Sequence, residues 1–114
     1  MSTVQPPNSA IAELASTLGE DSARELAAMF LTSFEKVLRD LNVGDREERK
    51  RAAHSLKSSA RIVGAGVLSN RMAELEFRLT NTASDVTPED VTATIEEFER
   101  IATPLRAYAR QNGA

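Results

Sequence analysis

The sequence predicts an all-α protein, an antiparallel four-helix bundle with a short additional helix at its N-terminus. Three observations predict it. Apolar residues recur at spacings of three and four along most of the chain, which is the period of one helix face. The 5 glycines and 4 prolines fall mainly between those periodic segments, where punctuation of helices belongs. No segment alternates apolar and polar residues as a half-buried strand would.

Met1 to Pro7 reads as a flexible lead-in. A short helix follows Asn8, with Ile11, Leu14 and Leu18 on one face and Gly19 closing it. Ser22 with Glu25 has the form of a capping box, so the next helix is expected to start there. Leu26, Phe30, Phe34, Val37 and Leu41 form its apolar stripe, widened by Met29 and Leu38, and Gly44 ends it. Asp45 with Glu48 repeats the capping signal and opens a helix to about Val63, buried through Ala52, Ala53, Leu56, Ala60 and Val63 and terminated by Gly64. After Gly64-Ala65-Gly66, Leu68, Met72, Leu75 and Leu79 mark another helix, fading from Asn81 to Asp85.

Thr87-Pro88-Glu89-Asp90 supplies the last start signal: a cap, a proline at the first helical position and two acids near the positive end of the macrodipole. Val91, Ile95, Phe98, Ala102, Leu105 and Ala109 carry that helix. Pro104 lies inside it and is expected to remove one backbone bond and kink the helix near Ala102. Phe30, Phe34, Phe77, Phe98 and Tyr108 sit at helical spacings and read as core packing.

Composition narrows the function classes. At 114 residues, one domain spanning 1–114 is expected. The absence of cysteine removes disulfide scaffolds, thiolate chemistry and zinc fingers, and points to the cytoplasm. No stretch approaches a membrane span, and Met1 to Pro7 lacks the basic and apolar regions of a secretory signal. With 14 basic against 17 acidic residues the net charge is −3, which argues against general affinity for nucleic acid or anionic membrane. Six of the basic residues lie between Arg46 and Arg61, but Asp45, Glu47 and Glu48 dilute them and no aromatic residue interleaves.

The chain has a single histidine. On a helical wheel centred on Leu56, His54 falls at roughly 160°, nearly opposite the core. It should be exposed. Lys50, Lys57 and Arg61 fall at roughly 120°, 100° and 140° on the same stripe, and Ser58, one turn on, is small. A helix face with Lys and Arg on it is most often solvated surface. Imidazole, however, is substantially neutral and nucleophilic near pH 7, and surrounding cations would stabilise an anion attached to it.

His54-Ser55-Leu56-Lys57-Ser58-Ser59, followed by Gly64-Ala65, Leu68 and Leu75-Glu76, resembles the signature of histidine-containing phosphotransfer domains of two-component signalling. In that family the histidine is followed by leucine at two, lysine at three, a small residue at four and glycine at ten; here those are Leu56, Lys57, Ser58 and Gly64. Ser58 departs from the usual glycine. The resemblance implies a phosphoryl carrier in which His54 takes the group from a receiver-domain aspartyl phosphate and passes it to another receiver aspartate. Glu76 stands where the family has a Glu or Gln that hydrogen-bonds the imidazole.

By the same resemblance Lys57 and Arg61, with Lys50, would neutralise phosphate oxygens, and Lys50, Ser58, Ile11 and Leu14 would join the partner's docking surface. Ile11→Glu is accordingly expected to weaken receiver binding without changing the helical signal. The implied partners are response-regulator receiver domains and a hybrid histidine kinase, the Mg²⁺ is expected in the receiver with no cofactor in this chain, and a monomer is the simpler state. No phosphate-binding glycine loop is present, so autonomous kinase activity is not expected.

Two other readings stay open at this point: a histidine-kinase-type dimerisation and phosphotransfer module without its ATP-binding domain, and a non-catalytic helical adaptor. A hydrolase or a metal site fares worse. There is no G-x-S-x-G elbow and no H-E-x-x-H or EF-hand spacing around the one imidazole.

Overall fold

A computed structural model describes residues 5–110. They form five helices: α1 (Ser9–Leu18), α2 (Glu20–Val43), α3 (Arg46–Ile62), α4 (Gly66–Asn81) and α5 (Pro88–Arg110). Of the lead-in, residues 1–4 lie outside the described residues, and 5–7 form no regular structure. α2 packs on α3 and α5, and α4 packs on the same two helices, so α2 to α5 close a ring. Short connections reverse the chain between neighbours. The Tyr108 hydroxyl near the end of α5 accordingly reaches Glu20 Oε2 at the start of α2, at 2.8 Å. Burial and that bond push the Tyr108 pKa up to about 12.

The expected core stripes are buried almost throughout: Phe30, Phe34 and Leu41 of α2; Ala52, Ala53, Leu56 and Ala60 of α3; Leu68, Met72, Leu75 and Leu79 of α4; Phe98, Ala102 and Leu105 of α5. Enclosing each large aliphatic side chain contributes about 1.5–3 kcal/mol. Phe34 stacks on Phe98 at 3.6 Å between centroids, which fastens α2 to α5. α5 runs without interruption through Pro104, which is exposed, while Ala102 and Leu105 on either side stay buried. The bond that proline cannot make is therefore missing on the solvent side.

Four expectations need correction. α2 begins at Glu20, not at Ser22, because Gly19, at φ 96°, turns the chain directly from the end of α1 into α2 and leaves Ser22 inside the first turn. Phe77 is 61% exposed, pointing away from Leu75 and Leu79. Met29 and Ile95 are also exposed, each at the margin of a stripe that its helix turns outward. Ile11, expected on an open apolar face, is fully enclosed. α1 folds onto α2, and Asn8 fixes it: its side-chain oxygen accepts from Ile11 N at 2.9 Å while its Nδ2 donates to Val63 O at 2.9 Å. Gly64, at φ 81°, lies against that Asn8 side chain with no room for a Cβ.

The opposite end of the bundle is closed by arginines. Arg46 Nη2 donates to Leu79 O at 2.9 Å and Thr82 O at 2.6 Å, meeting carbonyls at the end of α4 that have no helical partner. Arg49 pairs with Asp85 at 3.0 Å and donates to Asn42 O. Arg78 grips Asp90 with two bonds of 3.1 and 2.9 Å. Asp90 also caps α5, accepting from Thr87 N at 2.9 Å while its own N donates to Thr87 Oγ1 at 3.1 Å.

Candidate functional site

α3 is held rigid at both ends. The Asp45 capping box is complete, with Glu48 N donating to Asp45 Oδ1 and Asp45 N to Glu48 Oε1, each at 2.9 Å. At the other end the left-handed Gly64 lets Ala65 N reach Ala60 O at 2.8 Å and Gly64 N reach Arg61 O at 3.2 Å, the paired closure that a helix C-terminus makes around a glycine. α4 is latched alongside by the buried Ser69, whose hydroxyl donates to Lys57 O at 2.9 Å. His54 rides mid-helix on this frame with its side chain 62% exposed.

His54 Nδ1 lies 2.7 Å from Glu76 Oε2 on α4, and the other oxygen of that carboxylate lies 2.6 Å from Lys57 Nζ. The Lys57 ammonium holds the Glu76 carboxyl below the usual carboxylate range; burial opposes it and the bond to His54 assists. An ionised carboxylate only accepts hydrogen bonds, so the proton between them belongs to Nδ1. In the neutral ring the lone pair is then on Nε2. It is the nitrogen left for chemistry, on an exposed side chain.

The residues expected near His54 divide into two sets. Lys57, expected to face phosphate, is 23% exposed and committed to Glu76, because α4 presents that carboxylate at 2.6 Å. Lys50 pairs with Glu47 at 3.4 Å. Ser58 and Arg61 are exposed, and among the described residues no hydrogen bond or ion pair occupies the Ser58 hydroxyl or the Arg61 guanidinium. Leu14 is half-buried and shares a groove with Leu18, Arg61 and Ile62, whereas Ile11 lies beneath the surface and is no contact residue. Ile62, 51% exposed, was not picked out from the sequence. Its one signal there is its place outside the buried stripe of α3. It continues the apolar strip onto Leu26 and Met29 of α2.

Among the described residues no three His, Asp or Glu side chains gather to hold a metal ion, and no helix is long and apolar enough to cross a membrane. The arrangement is that of one oriented, solvent-facing nucleophilic nitrogen on a closed helical frame. A family model of the Hpt domain matches residues 25–104. The chain belongs to the Hpt domain family. Comparison with curated proteins and with solved structures gave no significant match. Hpt domains are helical bundles that serve histidine phosphotransfer in phosphorelays, as phosphocarriers rather than kinases, and they interact with receiver domains and histidine kinases. Most of α2 and of α5 and the whole of α3 and α4 fall within the match, α1 outside it.

Proposed function

We propose that His54 of this Hpt domain accepts a phosphoryl group from a receiver-domain aspartyl phosphate and passes it to another receiver aspartate. The observation that carries this reading is the 2.7 Å contact between Nδ1 and Glu76, which leaves Nε2 outward on an exposed ring. The Nε2 lone pair forms the N–P bond as the P–O bond to the receiver aspartate breaks, and that electron pair departs on the aspartate carboxylate. Nδ1 keeps its proton, and the positive charge that appears on the ring is offset by Glu76 at contact distance. Return of the group to a second receiver reverses these steps.

Phosphoryl transfer depends mostly on positioning and charge, so a chain that offers a fixed nitrogen has done its share. The Mg²⁺ belongs to the receiver and supplies neutralisation of phosphoryl charge there. Lys57 acts on the nucleophile's side, through Glu76. Leu14, with the neighbouring Leu18 and Ile62, offers apolar surface for the receiver, while Lys50 and Arg61 border the ring with positive charge. In keeping with its lack of cysteine we place the relay in the cytoplasm, and we take the domain to act as a monomer.

The test is transfer of label from phosphorylated receivers. The wild-type chain should acquire an acid-labile, alkali-stable phosphoryl group, and His54→Gln should acquire none while keeping its helical circular dichroism. Equal labelling of His54→Gln would remove the reading.

A further inference from the structure

The donors left for the transferred group are fewer than the charges around His54 suggest. Lys57 is engaged by Glu76 at 2.6 Å and Lys50 by Glu47 at 3.4 Å. Arg51 is exposed and also without a partner among the described residues, but it lies a turn before His54 and leans away from the ring, since helical side chains lean toward the N-terminus. Ser58 and Arg61 remain. On the wheel they lie about 40° to one side of His54 and about 20° to the other, one and two turns further along α3. The same lean carries Ser58 over the turn that holds the imidazole, and the longer Arg61 over the turn between, toward it. Serine and threonine hydroxyls in helices commonly bond back to a carbonyl of the preceding turn, as Thr32 does to Ala28 O at 2.9 Å and Ser59 more loosely to Leu56 O at 3.4 Å. The Ser58 hydroxyl makes no such bond among the described residues, and is exposed. Glu13, which lines the same groove as Arg61, is not within ion-pair distance of it.

We infer that Ser58 and Arg61 form the anion-holding half of the site, donating hydrogen bonds to the phosphoryl oxygens carried on His54 Nε2. The inference rests on the reading of His54 as the carrier. It divides the labour: Lys57 and Glu76 orient the ring from the α4 side, and Ser58 and Arg61 receive the group on the open side. A hydroxyl and a guanidinium together suit a tetrahedral oxyanion, one adding direction and the other charge. The free hydroxyl thus gives this chain a phosphoryl contact at the position where a glycine would offer none.

The experiment loads the protein with phosphoramidate, from which ammonia leaves as the N–P bond to His54 forms, and follows the phosphorus-31 resonance of the phosphoprotein against pH. Donors to the phosphoryl dianion lower the pH at which it titrates. Ser58→Ala and Ser58→Gly should move that titration upward alike, Arg61→Gln further, each by roughly a few tenths of a pH unit. Ser58→Thr, which keeps the hydroxyl, should stay near wild type. Titration of Ser58→Ala and Arg61→Gln at the wild-type pH, with His54 carrying the group, would overturn the inference and leave the carrier reading standing. So would a larger shift from Lys50→Gln than from Arg61→Gln. Failure of the wild type to load, or equal loading of His54→Gln, would instead take down the carrier reading and this inference with it.

Discussion

Two polar clusters span α3 and α4, and they differ in what they leave open. At the arginine-laced end, Arg78 is matched by Asp90 with two bonds, Arg46 by the carbonyls of Leu79 and Thr82, and Arg49 by Asp85 and Asn42. Apart from the buried Arg49 Nε, which finds no partner among the described residues, its charged groups are answered within the fold, and its chemistry goes into holding helix ends together. At the other cluster Lys57, Glu76 and His54 are joined with bonds just as short, yet one ring nitrogen is left over on a side chain 62% exposed. The pairing there orients a group instead of consuming it. A closed network stabilises, whereas the same chemistry with one atom outstanding prepares a reaction.

The sharpest division concerns α1, which by this criterion belongs to the closed side. Ile11→Glu places a charge where no part of the side chain meets solvent and should cost more than about 3 kcal/mol in denaturant unfolding. This replaces the expectation of an unchanged fold with weakened docking. Next, Arg78→Ala leaves Asp90 without its partner and should lower stability by about 2 kcal/mol. Labelling of His54 should continue at the wild-type rate, and a parallel loss of labelling would break the comparison.

Glu76→Gln should do the converse. It keeps an oxygen near Nδ1 but removes the charge that offsets the imidazolium, so labelling by a phosphorylated receiver should slow about tenfold, equivalent to ~1.4 kcal/mol, while the unfolding midpoint moves little. The smallest effect is in acid. Burial works against the ionised form of Asp90, but Arg78 and Thr87 together hold its carboxyl below the ordinary 3.8. A carboxyl lowered on folding contributes stability that is present above its unfolded value and is lost as pH falls through the folded one. Below about pH 4 the wild type should therefore lose stability more steeply than Asp90→Asn, as read from thermal midpoints.

How much of this was legible beforehand follows from the range of each interaction. The stripes of α3 and α4, the Asp45 box and the Gly64 stop involve residues within four or five positions of one another, and all stand where the sequence puts them. His54 was likewise placed in solvent by its angle on its own helix. Ser22 misled because a capping pattern says nothing of whether the preceding glycine has already started the helix.

The sequence by itself determined five amphipathic helices, their stops, and one outward imidazole in a basic stripe, because backbone period and capping are local properties. Only the tertiary structure decided which cations are free. Lys57 looks outward on the wheel, yet meets a carboxylate 19 positions away that a neighbouring helix brings to it. Phe77, two residues from both Leu75 and Leu79, already falls about 160° from their stripe by period alone, but Ile11 looks open until α1 folds over onto α2. Such outcomes depend on the distance between helices that are far apart in the chain, which no periodicity encodes.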